Sequence, residues 1–246
     1  MSLVRSIRSA VMRRMADAGA RDRRRARAEL ARCKSGRPHE VLYFHQPDDP
    51  YSQLAAQALA PLLQRYDIVL KPRVVARPTP IAIHDQQLWD AWAQRDCGLI
   101  APYYGLQWHG AMQPAENFLI DLARRILLAQ EDLPGFPDIA VQVTSALQRD
   151  DRLALEALQQ RQGAVIPADA ERRLQSNEKL RHRLGHYLGG MFFYAGEWYW
   201  GIDRLHYLEA RLDALGARRP AAPPGPSAAL QRHAPDMIEA QQRITL

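Results

Sequence analysis

The stretch from residue 39 to residue 75, HEVLYFHQPDDPYSQLAAQALAPLLQRYDIVLKPRVV, constrains the fold more than any other part of the chain. His39 to His45 is β-branched and aromatic, as a strand requires. Pro50 to Tyr66 sets Leu54, Ala58, Leu62 and Leu63 at helical spacing, and Tyr66 to Val75 reads as a second strand. A strand, a helix and a strand in that order form one right-handed crossover, which makes the two strands parallel. Asp48, Asp49 and Pro50 stand where the first strand gives way to the helix. Unpaired N–H groups gather at a helix N-terminus and favour an anion, such as a thiolate or a phosphate. An acid at that point fills the site itself. Asp49 followed by Pro50 is also the ordinary pairing of an N-cap with a first helical residue, which needs no chemistry.

From Leu88 to about Arg183 the pattern is helical, interrupted by turn signals at Pro102, Gly110 to Pro114, Pro134 to Pro137 and Gly163 to Pro167. The period then changes. GGMFFYAGEWYWG carries consecutive aromatics around an Ala-Gly turn, as a β-hairpin does, and Asp203 to Leu215 returns to a helix with Leu205, Leu208, Leu212 and Leu215 on one side. Arg218 to Ala229 holds too much Pro, Gly and Ala for a core. The expected organisation is a basic N-terminal arm (1–37), an α/β domain in two pieces (38–84 and 184–216), a large helical insertion (85–183) and a flexible C-terminal tail (217–246).

The net charge of +6 is unevenly placed. Residues 1 to 37 hold 12 Lys or Arg against 3 Asp or Glu, which leaves 21 basic and 24 acidic residues for the rest. Basicity therefore belongs to the arm. There Leu3, Ile7, Val11 and Met15 recur every four residues, consistent with a helix carrying a narrow apolar stripe and an arginine face. Such an arm is either solvated on the domain or a contact for an anionic partner, nucleic acid or membrane. The arm lacks the apolar stretch of a secretory signal, so a cytoplasmic protein is expected. Cys33 and Cys97 are far apart and form no C-x-x-C, so nothing supports a dithiol centre. His182 and His186 lie four apart in HRLGH, but without the Glu of H-E-x-x-H, and no metal site is expected.

Three stretches carry a resemblance. PYSQLA, Pro50 to Ala55, resembles the S-P-Y-S-x-L-A opening of the 2-hydroxychromene-2-carboxylate isomerases and kappa-class glutathione transferases, relatives of the disulfide oxidase DsbA. LWDAWAQRDCGLIAPYYGLQW followed by QPAENFLIDLARR looks like that group's helical insertion, and GEWYWGIDRLHYLEARL, Gly196 to Leu212, is similar to its closing G-E-x-F-W-G-x-D-R-L signature. The resemblance covers about residues 39 to 215. It implies a thioredoxin-like domain with a large helical insertion, glutathione as co-substrate, a small aromatic substrate under the insertion, and the homodimeric assembly common among kappa-type relatives. In that family glutathione lies with its sulfur over the first helix, where N–H groups and the dipole favour the thiolate.

Carried onto this chain, the family's hydrogen-bonding serine is Asp49, followed by Pro50, Tyr51 and Ser52. Asp49, Tyr51 and Ser52 are the candidate catalytic residues. Gly189, Gly190 and Asp203 are the candidate glutathione contacts: Gly190 stands where the family has a cis-proline, and Asp203 where an aspartate meets the glutamyl end of glutathione. Arg204 is retained, whereas Ile202 stands where the family has a polar residue before the Asp. Disulfide exchange is excluded because Asp49 and Ser52 occupy both cysteine positions. A helix dipole stabilises an anion by about 0.3–1 kcal/mol, or up to about 2 when partly buried. A carboxylate about 4 Å from a thiolate opposes it by about 1 kcal/mol in water and about 4 near a protein surface. Asp49 thus disfavours a thiolate unless it keeps its own proton, in which case it donates a hydrogen bond as serine does. Two functions remain: a glutathione-dependent isomerase or transferase acting on a conjugated aromatic substrate, and a binding protein on the same scaffold that has lost thiol chemistry. The first requires a cleft between Asp49, Tyr51, Gly190 and the insertion that accepts a tripeptide thiol; the second allows side chains to fill it. Three further positions are open to either role. Trp198 and Trp200 share one strand face, as core or as substrate platform, and His45 closes the first strand, as packing or as a base.

Overall fold

The computed structural model describes residues 17–79, 82–110 and 115–220. The arginine-rich helix α1 (Ala18–Lys34) precedes β1 (His39–His45), α2 (Pro50–Arg65) and β2 (Ile68–Val74). Helices α3 (Gln86–Ile100), α4 (Asn117–Gln130), α5 (Phe136–Gln148), α6 (Arg152–Gln162) and α7 (Pro167–Arg183) make the insertion, with a 3-10 turn at Ala101–Tyr104 after α3. The chain returns as β3 (Met191–Tyr194), β4 (Glu197–Trp200) and α8 (Leu205–Ala214). The strands form one sheet in the order β2-β1-β3-β4.

β1 and β2 run parallel, His39 beside Ile68 through His45 beside Val74, as the crossover requires. β3 lies antiparallel to both β1 and β4. The β3–β4 turn puts Ala195 at φ 45° and Gly196 at φ 88°, the two positive values of a tight hairpin whose twist matches its strands. β2 carries Pro72 because it is an edge strand, where a missing N–H leaves no neighbour unpaired. The second strand begins at Ile68 and not at Tyr66, because Tyr66 pairs instead with Arg218. Asp67 N–H donates to the Ala217 carbonyl and Arg219 N–H to that of Arg65, so the first residues of the expected tail are held by the domain. Residues 221–246, and the apolar stripe of Leu3, Ile7, Val11 and Met15, lie outside the described residues.

One apolar core joins the sheet to the insertion. Val41, Tyr43, Leu59 and Leu62 of the crossover pack in one cluster with Leu119, Ile126 and Leu127 of α4 and with Phe136 and Val143 of α5. Buried apolar surface contributes roughly 25 cal/mol per Å², so this shared core holds the insertion against the mouth of the crossover. The buried ion pair between Arg65 and Glu209 ties the far end of α2 to α8. The arm helix is docked as well: Arg25 reaches Glu197 of β4 through Nε (2.9 Å) and Nη2 (2.7 Å). No described helix is long and apolar enough to cross a membrane.

Candidate functional site at the N-terminus of helix α2

Asp49 caps α2. Its backbone is extended (φ −102°, ψ 122°), and its Oδ2 accepts from Ser52 N–H at 2.8 Å and from Ser52 Oγ at 2.7 Å. Ser52 is fully buried, and its Oγ accepts from Gln46 N–H at 3.2 Å. The serine hydroxyl is therefore engaged on both sides by the protein itself. Burial, opposed by the Ser52 hydrogen bonds, raises the Asp49 carboxyl to about 6. The neighbouring Asp48 is treated differently: Arg77 Nε lies 3.0 Å from its Oδ2 and Arg124 Nη2 3.9 Å from its Oδ1. Adjacent acids in one turn thus have separate fates, because the cations reach only the first.

The glycine pair closes the other wall. A Cβ on Gly189 would stand 2.5 Å from Gln46 Cβ and 3.0 Å from Ser52 Oγ. One on Gly190 would stand 3.2 Å from Ser52 N and 3.3 Å from Asp49 Oδ2. Gly190 has φ +64°, and its carbonyl accepts from Gly201 N–H at 2.9 Å. Proline, fixed near −65°, cannot take that conformation. The departure from the family's cis-proline is thus accompanied by a change of backbone that only glycine adopts readily.

The structure brings Asp49, Ser52, Gly189 and Gly190 together. Tyr51 stands at the edge, its hydroxyl donating to Asp96 of α3 at 2.8 Å and its ring 6.4 Å from that of Trp89. Burial, then Asp96, pushes the Tyr51 hydroxyl above the ordinary tyrosine range. Asp203 is not part of this cleft; its Oδ1 accepts from Tyr104 in the 3-10 turn at 3.0 Å. His45 is fully buried, with Nδ1 2.9 Å from the Tyr43 hydroxyl, which itself donates to the Ser52 carbonyl. Burial lowers His45 to about 3, so it is a neutral core residue linked to the site only through Tyr43. His186 lies beyond the end of α7, its ring centroid 4.8 Å from that of Trp198. Trp198 also packs on Phe44, whereas Trp200, on the same strand face, reaches the cleft.

The cleft at Asp49 is nearly filled. Gln46, Asp48, Pro50, Trp89, Leu188 and Trp200 are among the residues that reduce it to about 10 Å³, space for one water at most. Beside it opens a second space of about 520 Å³, bounded by Leu88, Trp89 and Trp92 of α3 and by Tyr187, Leu188 and Trp200. Sequence reasoning missed Arg77, which bridges Asp48 and Asp90 of α3 (2.6 Å to Asp90), because no local pattern marks a cation that connects two acids far along the chain. It also missed the groove, although the two tryptophans of LWDAW, three apart on a helix, were a signal for one.

No family model matches the chain, and no curated protein sequence matches it. Solved structures do, 12 chains among them. A 2-hydroxychromene-2-carboxylate isomerase superposes with TM-score 0.55 at 18% identity, covering 72% of this chain and 95% of the isomerase. The chain has the thioredoxin-like fold of that isomerase. A cytosolic disulfide reductase, DsbM from Pseudomonas aeruginosa, also matches, with TM-score 0.45 at 16% identity over 71% of this chain and 99% of the reductase.

Proposed function

We propose that this protein binds a planar, conjugated aromatic compound in the groove between α3 and β4, on a thioredoxin-like scaffold that has given up thiol chemistry. The observation that carries this reading is the Asp49 carboxylate itself. It accepts the N–H of Ser52 at the helix N-terminus, where a thiolate would otherwise be stabilised, and the space beside it holds no tripeptide. Asp48 and Asp90 are paired with Arg77, so the carboxylate that faces the helix N-terminus without a cation is that of Asp49. The groove is large enough for a bicyclic ring system and offers Trp89, Trp92, Trp200 and Tyr187 as stacking surfaces.

A glutathione-dependent isomerase or transferase is the second reading, favoured by the fold of the isomerase and by the groove lying against Asp49. In it Asp49, with its carboxyl held up to about 6, donates a hydrogen bond in its protonated form. Gly189, Gly190 and Asp203 then serve glutathione. Calorimetric titration separates the two: glutathione is added to the wild type and to Asp49→Ser at pH 7. The binding-protein reading expects no heat of binding with the wild type, while the neutral bicyclic probe coumarin quenches tryptophan fluorescence and loses affinity in Tyr187→Ala. Saturable glutathione binding by the wild type would overturn it in favour of the isomerase. For the arm, we propose that the exposed Arg21, Arg23, Arg24 and Arg27 of α1 contact an anionic partner, and their joint replacement by Gln is expected to shorten retention on heparin.

A further inference from the structure

A cavity of about 900 Å³ lies between the arm helix α1, the edge strand β4 and α8, and shares no lining residue with the cleft or the groove. Its walls are small and aliphatic. Ala26 and Leu30 of α1 stand across from Ala210, Ala214 and Leu215 of α8, and side chains as short as alanine leave the space between the helices open. Leu30 is 57% exposed and Tyr207, on the other wall, 55%, so apolar surface faces water on both sides.

The charge in this cavity is uneven. Arg21, Arg25, Arg204 and Arg211 line it, yet only two carboxylates meet them. Asp22 takes Arg21 at 3.1 Å, and Glu197 takes both Arg25 at 2.7 Å and Arg211 at 3.4 Å. Glu29, which also lines the cavity, is already held by Arg32 at 2.6 Å. Four cations less two acids leave an excess of two positive charges. Arg204 is exposed and makes no ion pair with a described residue, its neighbour Asp203 being bonded to Tyr104.

The cations and the apolar walls follow one axis. α1 leads into β1 at His39, and the chain after α8 reaches Ala217, whose carbonyl accepts from Asp67 N–H just before β2. β1 and β2 are parallel with His39 beside Ile68, so Cys33 and Leu215 mark one end of the cavity and Arg204, which opens α8, the other. From Arg204 to Ala214 the helix spans about 15 Å, comparable with the extended chain of laurate.

We propose that this cavity binds a free single-chain carboxylate of the fatty-acid class, its head on Arg204 and its chain running between α1 and α8 toward Cys33. A guanidinium takes a carboxylate through two parallel N–H donors. A trough floored by alanines suits a flexible chain better than a planar ring, and the chain covers Leu30 and Tyr207. One wall is α1, which precedes the stretch that resembles the isomerases, so the site needs a helix outside that resemblance. Of the arginines assigned above to an anionic partner only Arg21 borders the cavity, and the inference depends neither on that contact nor on what the groove binds.

The test uses the two cysteines, because Cys33 is exposed in the cavity and Cys97 is buried. Laurate at micromolar concentration, below micelle formation, is titrated calorimetrically into the full chain at pH 8, and maleimide labelling of Cys33 is followed in parallel. The wild type is expected to bind laurate saturably and to be labelled more slowly as it does. Arg204→Gln is expected to weaken binding about three- to tenfold. Dodecyltrimethylammonium, which carries the same chain on a cationic head, is expected to bind more weakly than laurate. Ala26→Trp and Ala210→Trp, at exposed positions on the two walls, are expected to lose both binding and protection of Cys33 while circular dichroism stays native. Tyr187→Ala, in the groove, is expected to change neither. The absence of heat with laurate overturns the proposal, and so does binding that leaves Cys33 labelling unchanged. Binding that is as tight in Arg204→Gln or to the cationic amphiphile, that survives both tryptophan variants, or that is lost in Tyr187→Ala overturns it as well.

Discussion

The cleft at the N-terminus of α2 and the groove beside it share Ile83, Trp89, Leu188 and Trp200, yet one is closed at about 10 Å³ and the other open at about 520 Å³. The difference lies in what the remaining walls are made of. In the cleft, short polar groups satisfy one another: Asp49 with Ser52, Ser52 with Gln46, Asp48 with Arg77, and two glycines that admit the backbone where any side chain would clash. In the groove, large rings stand apart with nothing between them. Polar groups at a buried helix end close upon themselves because an unmet hydrogen bond there costs about 1–3 kcal/mol. Rings pay no such penalty for facing water one at a time. The closed region is thus a structural joint, and the open one is the place we propose for a ligand.

If that contrast is right, substitutions in the cleft lower stability, and those in the groove lower binding. Arg77→Ala is expected to have the largest effect, about 3 kcal/mol lost in urea unfolding, because it leaves Asp48 buried with only Arg124 nearby. Gly189→Ala follows with about 1–3 kcal/mol, since its Cβ would stand 2.5 Å from that of Gln46; retention of wild-type stability would show the wall to be adaptable. Asp49→Ala removes a cap worth about 1 kcal/mol, whereas Asp49→Ser retains much of it. Tyr187→Ala, half exposed beside the groove, is expected to change stability by less than about 1 kcal/mol while weakening an aromatic probe about two- to tenfold.

Asp49 also gives the comparison a pH signature. Its carboxyl is raised by burial to about 6 in the folded chain, from an ordinary value near 3.8, so the folded state holds the proton more tightly than the unfolded state. The stabilisation is fully present below about pH 4 and is lost as pH rises through about 6. Over that window the wild type is expected to lose roughly 3 kcal/mol relative to Asp49→Asn. Urea unfolding of both proteins from pH 4 to pH 7.5 measures the difference; parallel curves would show that Asp49 is not held in the way its burial implies.

Much of the frame was legible in the sequence. The limits of β1, the start of α2, the Ala195-Gly196 hairpin and the cap formed by Asp49 and Pro50 follow from β-branching, from helical period and from the turn residues, all of which act over a few residues. The beginning of β2 was misplaced because the partner of Tyr66 is Arg218, some 152 residues away in sequence. Of the site, the grouping of Asp49, Ser52, Gly189 and Gly190 was legible through the family resemblance, which aligned two distant segments.

What the sequence determined alone is the crossover, the insertion's helical character, the absence of a C-x-x-C pair and the presence of an acid where the helix after β1 begins. These depend on residue type and spacing. Only the tertiary structure decided that Asp49 would also accept from the buried Ser52 hydroxyl and be kept from any cation while Asp48 took Arg77, that the cleft would close, and that three tryptophans would border an open groove. Each of those outcomes is set by how side chains distant along the chain share one small volume, and packing of that kind leaves no local pattern to read.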